Sequence, residues 1–304
     1  MKKKIGLITL WANSFWVELA LKQALTIVDE LHVSVIPFSK ALLKFEDDTL
    51  DKVKKFKKKE KNIFIYTLDD FKFGLLNKNI FQSKYFMNNG YHATTKCIVL
   101  NEMISNSKYF KKGNWIWILD SDEFYNNDLI YEINKIIEED TFNTIEVRSK
   151  FYFLNMLNYI ISSHLRLFKI ETINTLPLNK LRFRPSQKWR VIKQKKILTS
   201  QKNLMNHYSF LTSIKMREES WKNEFYNNPQ KLKIDWLTQI YSKIQLDNIE
   251  ASIKTMKFLF NENNIFFKDN FIFNNGGFFI DGEKHPDIIE KTDLKIIKDF
   301  RSIY

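Results

Sequence analysis

The run from Ile5 to Leu10, apolar except for Gly6 and Thr9, sets the strongest limit on the fold. A strand with so little polar alternation has to be covered on both faces, which is the situation inside a parallel α/β sheet. Asn13 and Ser14 follow as a predicted turn and helix cap, and Phe15 to Val28 runs at helical spacing. Leu31 to Ile36 reads as a second strand, rich in β-branched residues and stopped by Pro37. The lysine-rich stretch from Lys52 to Lys61 is predicted as a solvated helix face, with Val53 and Phe56 on the side it buries. Ile63 to Tyr66 supplies a third strand. Strand–helix–strand–helix–strand in this order implies right-handed parallel crossovers.

Further along, Tyr85 to Met103 is predicted helical, with Cys97, Leu100 and Met103 on one side, and it leads into the short strand Trp115 to Leu119. Leu129 to Glu138 reads as an amphipathic helix. Ile145 to Leu154 alternates as a strand, with Glu146, Arg148 and Lys150 on one face and Val147, Phe151 and Phe153 on the other. Leu165 to Ile170 and Trp189 to Ile192 are further short strands. Beyond Ser213 the pattern turns mainly helical, around Trp221, Phe225, Trp236 and Tyr241. The expected division is a catalytic α/β domain over residues 1–213 and a helical extension over residues 214–304, on the acceptor side.

Composition narrows the function. Only 7 glycines in 304 residues argue against a glycine-rich phosphate cradle, which needs several close together. A single cysteine, Cys97, excludes an internal disulfide and a cysteine-rich zinc site, and suits a reducing, cytoplasmic setting. No window reaches the ~18 apolar residues of a membrane span. The net charge of +13 fits an anionic partner, whether nucleic acid, acidic lipid or a phosphorylated substrate, and fits a bias towards lysine equally well. Peripheral contact with an anionic membrane, at its inner face, is an expectation from charge alone.

The chemistry concentrates in Asp120-Ser121-Asp122-Glu123, directly after the strand Trp115 to Leu119. Ligands of open parallel sheets bind outside the carboxyl ends of strands. Three carboxylates in four positions repel one another, and a divalent cation with a taste for oxygen ligands would relieve that repulsion. The plainer alternative is that Ser121 to Glu123 cap the following helix, where acids are favoured.

Read with its flanks, Leu119-Asp120-Ser121-Asp122-Glu123-Phe124 resembles the metal-binding Asp-x-Asp segment of bacterial glycosyltransferases of the GT-A fold, family-2-like members in particular. Ile5 to Asn13, Ile27 to Glu30, Lys96 to Asn101, His164 to Phe168 and His207-Tyr208 resemble other parts of that family, so that the likeness spans residues 5 to 210. It implies an α/β fold of the GT-A nucleotide-diphospho-sugar transferase type, a mostly parallel sheet flanked by helices. It implies a nucleotide-diphosphate sugar as donor, Mn²⁺ or Mg²⁺ as cofactor, and a glycan, lipid-linked or protein acceptor in surface glycan biosynthesis.

Carried over residue by residue, the resemblance makes Asp120, Asp122 and Glu123 catalytic. Asp122 and His207 become metal ligands, while Asp120, Asn101 and Arg166 contact the nucleotide sugar. Asp120 is expected to reach the ribose or the metal, and Arg166 the diphosphate or a structural salt bridge. Where the family carries a base-reading acid after its second strand, this chain has Ile36-Pro37-Phe38-Ser39, which leaves Asp69, beside Asp70, as the candidate. Lys215 and Arg217 are candidates for the leaving phosphate. Glu146, Glu218 and Glu219 are the acids left for a catalytic base, and His285-Pro286 reads as a turn or part of the acceptor side. Two other readings stand beside this one: a basic nucleic-acid-binding protein without activity, and a Mg²⁺-dependent nucleotidyl transferase.

Overall fold

The computed structural model describes residues 2–12, 14–37, 40–73, 99–100, 102–152, 158–170, 195–208 and 279–280, together with Pro286 and Ile289. The chain opens with β1 (Lys4–Leu10), α1 (Val17–Ile27), β2 (Glu30–Val35), α2 (Thr49–Lys59), β3 (Ile63–Thr67) and α3 (Leu68–Phe73). After helical residues at 99–100 and 102–105 come β4 (Trp115–Leu119), the two-residue β5 (Glu123–Phe124) and α4 (Asn127–Glu139). Then follow β6 (Thr144–Tyr152), β7 (Asn158–Lys169), β8 (Lys196–Leu198), β9 (Met205–His207) and β10 (Phe279–Ile280).

One sheet collects all the described strands, in the order β3-β2-β1-β4-β7-β6-β9-β5, with β8 and β10 off this path. β3, β2, β1 and β4 are mutually parallel, as the alternation of strands and helices requires. β7 then joins β4 antiparallel and β6 joins β7 antiparallel, while β6 pairs parallel with both β8 and β9. This is the α/β architecture expected from the sequence, with β10 as an addition: it pairs with β7 and brings residues 279–280 onto the same sheet.

The period of two explains the two-sided burial. On β4, Trp115, Trp117 and Leu119 face a core that includes Leu21 of α1, Val53 of α2 and Leu129 and Ile133 of α4. Ile116 and Ile118 face the opposite core, with Ile5, Leu7 and the helical residues Val99, Leu100 and Met103. Helices therefore cover both faces, and the near-continuous apolar runs of β1 and β4 follow from that. The lysines of α2 lie on the exposed side, since Val53 is buried and Phe56 packs against the core.

Gly6 marks the closest approach in this packing. A Cβ at that position would stand 2.9 Å from Leu31 Cδ1 and 2.9 Å from Val28 Cγ2. Gly6→Ala is expected to destabilise the fold by about 1–3 kcal/mol, measured by denaturant unfolding.

Two sequence expectations need correction. Ser14 does not cap α1: its hydroxyl donates to Asp48 and its N–H to Asp47, and the residue before α1, Trp16, makes no side-chain cap bond. The acidic loop before α2 has captured it. Nor do Ser121 to Glu123 cap α4. Asn126 holds that place, its side chain accepting from Leu129 N at 2.8 Å. On β6, Lys150 is buried, where its face-mates Glu146 and Arg148 are only partly so. Asn13, Cys97, Asn101, Phe153, Leu154, Trp189 to Ile192, Lys215, Arg217, Glu218, Glu219 and His285 lie outside the described residues, as does the boundary near 213. Among the described residues, no helix is long and apolar enough to cross a membrane.

Candidate active site

The parallel strands β1 and β4 run side by side with Ile8 opposite Leu119. Asp120 is the first residue past the carboxyl end of β4, and the chain turns at once, with Glu123 N–H donating to Asp120 O at 3.3 Å. Beyond the carboxyl end of β1, Ala12 is held at a φ of 53°, a left-handed conformation that costs a non-glycine residue about 1–2 kcal/mol. Such local strain gathers where a binding site needs a particular backbone path.

Two contacts fix the turn. Tyr208 N–H donates to Asp122 O at 2.8 Å, and β5 pairs with β9 so that Glu123 faces His207 and Phe124 faces Asn206. Behind it, Gln23 of α1 uses both ends of its amide on Tyr125, donating to its carbonyl at 3.0 Å and accepting from its N–H at 3.1 Å. A buried aromatic cluster backs β9, in which Tyr208 stacks on Trp16 and on Tyr152 at centroid distances of 5.3 and 4.8 Å. The turn is thus held from three elements, which gives its carboxylates fixed positions.

Arg166 reaches the cluster because of a fault in the β6–β7 ladder. Ile145 pairs with Leu167 and Glu146 with Leu165, so Arg166 is the extra residue of a β-bulge. Bulges re-aim one side chain out of the regular alternation. Here the redirected guanidinium, only 9% exposed, lies between Asp120 (2.9 Å) and Glu123. Burial pushes the Glu123 carboxyl up to about 8, with Arg166 pulling the other way and Asp120 and Asp122 adding to the rise. The guanidinium itself is penalised by burial, but Glu123 and Asp120 more than compensate and raise it.

Asp122 points elsewhere. Its Oδ1 lies 3.7 Å from His207 Nε2, and His207 Nδ1 lies 3.7 Å from Glu123 Oε1. Both separations exceed a hydrogen bond. Phe151 meets the His207 ring edge-on at 4.6 Å, and His164 meets it at 5.1 Å, so the imidazole is fixed in direction.

Of the residues expected from the sequence, the structure brings together Asp120, Asp122, Glu123, Arg166 and His207, with His164 beside them. It does not bring Asp70 into this group. Asp70 accepts from Thr67 N–H and from the Thr67 hydroxyl and so caps the start of α3, while its neighbour Asp69 is exposed there. Glu146 is engaged by Lys196 and Ser163. Gln23 and Trp16 were not anticipated, since a lone glutamine and a lone tryptophan near an amphipathic helix carry no distinguishing signal.

Asp120 and Glu123 flank Arg166, and Asp122 stands beside them facing His207, so acids outnumber the one arginine at the mouth of β4. Among the described residues, no group of three or more His, Cys, Asp and Glu side chains converges as a metal cluster. A pair of protein donors nevertheless fits a cation that takes its other ligands from phosphate and water, which is the habit of Mg²⁺. Donors each at about 2.1 Å from a shared ion stand roughly 3–4 Å apart, and the 3.7 Å between Asp122 and His207 falls in that range.

No known family model matches the sequence, and no curated protein matches it either. Solved structures similar in shape include S. aureus TarS 1-349, with a TM-score of 0.40 and 13% identity over 84% of this chain and 78% of that one. A second structure of S. aureus TarS gives 0.38 and 14%, over 83% of this chain and 47% of that one. 4-Diphosphocytidyl-2C-methyl-D-erythritol synthase gives 0.33 and 15%, over 67% and 92%. Similarity at this level carries no chemistry across.

Proposed function

We propose that the chain is a metal-dependent glycosyltransferase, moving a sugar from a nucleotide-diphosphate donor to a glycan, lipid-linked or protein acceptor. The observation that carries this reading is the approach of Asp122 and His207, from the β4–β5 turn and from β9, to 3.7 Å at the carboxyl end of a parallel strand. Mn²⁺ or Mg²⁺ would be held by these two side chains. Bound there, the cation would supply Lewis-acid stabilisation of the charge that grows on the departing diphosphate.

The other residues divide the remaining work. Asp120 keeps one side partly open and is assigned to the ribose or the cation, with Arg166 fixing its orientation. Glu123, whose side chain is fully buried, is assigned to positioning in place of the catalytic role expected from the sequence: it steadies Arg166 and β9. Arg166 is accordingly a positioning residue and is not assigned to the diphosphate. Asp69, exposed at the start of α3, stays the candidate for the nucleobase. A setting at the inner face of a membrane, with a lipid-linked acceptor, belongs to the same reading and rests on the charge of +13.

The test is incubation with a panel of nucleotide-diphosphate sugars and Mn²⁺, reading release of nucleoside diphosphate. The expected result is release from one donor, stopped by a chelator and restored by Mn²⁺. Pyrophosphate released from a nucleoside triphosphate would instead identify a nucleotidyl transferase. No turnover combined with a salt-sensitive shift of nucleic acid would replace the enzyme by a binding protein.

A further inference from the structure

A cleft of about 370 Å³ opens beside the β6–β7 ladder, lined by residues other than those of the acidic turn. Among the described residues its polar lining comes from Arg148, Ser162, Ser163 and Gln201, and Leu198 and Leu204 supply an apolar wall. The volume lies in the range of small-molecule sites.

Its walls are rigid. Arg148 N–H donates to Thr199 Oγ1 and Thr199 N–H to Glu146 O, each at 3.0 Å, which ties the segment after β8 to β6. β8 itself pairs with β6 through Thr144 to Glu146. Arg148 stands opposite Ser163 across the β6–β7 ladder.

The charge in this cleft is unbalanced. Glu146, two residues from Arg148, is already occupied: the Ser163 hydroxyl donates to it at 2.6 Å and Lys196 forms an ion pair with it. Arg148 helps to hold the Glu146 carboxyl below its usual range, behind Lys196 and Ser163, but among the described residues it makes no close ion pair of its own. A partly buried guanidinium is thus left facing a cavity with hydroxyl and amide groups beside it. Leu198, at 38% exposure one of few large apolar side chains left open among the described residues, adds a surface on which the C–H face of a sugar ring can rest.

We propose that this cleft binds an anionic saccharide, one carrying a phosphate or a carboxylate, with Arg148 as its charged anchor. A guanidinium fork matches either anion in a bidentate manner, and the hydroxyl and amide groups match sugar hydroxyls. Resting on the transferase reading, the cleft holds an acidic part of the acceptor.

The test is calorimetric titration of the full chain with glucose 6-phosphate, glucuronate, glucose and inorganic phosphate. At least one acidic sugar is expected to bind, about tenfold or more tighter than glucose. Arg148→Ala should weaken it at least about tenfold, Arg148→Lys by less, and Leu198→Trp should block the cleft without changing its charge. Equal affinity for glucose, unchanged affinity in Arg148→Ala and Leu198→Trp, or no binding of either acid up to about 50 mM would overturn the proposal. Inorganic phosphate binding as tightly as the sugar acids would remove the saccharide from it. Stabilisation by nucleotide with Mn²⁺ should be unchanged in Arg148→Ala, so a failed cleft and a failed transferase reading are told apart.

Discussion

Above about pH 8, where Glu123 ionises in the wild type, Arg166→Met is expected to cost the fold about 3–5 kcal/mol, because it strands a fully buried carboxylate without its cation. Methionine restores most of the volume, so the loss is electrostatic in origin. Arg166 is the influence that pulls Glu123 down against burial, and without it the carboxyl moves further up. A buried acid of raised pKa binds its proton more tightly folded than unfolded. Its contribution to stability is then complete below the ordinary carboxylate range near 4.5 and shrinks as pH rises towards the folded value. In the wild-type chain that window runs from 4.5 to about 8. In Arg166→Met it extends higher, so the penalty should grow with pH. Glu123→Gln in the same background should recover much of it, since a neutral amide needs no cation. Urea unfolding of both single variants and the double variant measures the coupling. Additive effects, or a loss below about 1 kcal/mol for Arg166→Met, would mean that the buried ion pair contributes little.

Asp122→Ala is expected to lower nucleoside diphosphate release by about two to three orders of magnitude or more, while its melting temperature stays near that of the wild type. The side chain is partly open, and the turn is held through the Asp122 carbonyl by Tyr208, which the substitution leaves in place. His207→Ala should weaken metal dependence similarly but also disturb the packing against Phe151, so Asp122 is the cleaner probe. An Asp122→Ala protein that stayed folded and kept its specific activity would contradict the assignment.

The half of the fold most legible in the sequence is the half whose rules are local. β1, β2, β3 and β4 stand within a residue or two of the apolar runs that announce them, and the turn after β4 is marked by its acids. What the residues alone did not disclose are matters of register and of distant pairing. Arg166 reaches Asp120 and Glu123 only because the β6–β7 ladder skips one residue, and a bulge leaves no mark in the strand that carries it. His207 meets Asp122 because β9 pairs with both β5 and β6, a pairing across more than 80 residues of chain between Glu123 and His207. Glu123 looked like the third member of an acidic triplet. Its burial depends on β9 and Arg166 arriving on top of it, which composition does not encode.

The most direct test of the central claim is thermal denaturation with nucleoside diphosphates, each with and without Mn²⁺, for the wild type and Asp122→Ala. A ligand that binds only the folded chain raises its melting temperature by mass action. The account predicts stabilisation by one nucleotide that requires Mn²⁺ and is lost in Asp122→Ala. Folded wild-type protein with no shift for any nucleotide, or a shift that survives without Mn²⁺ and in the variant, would contradict it.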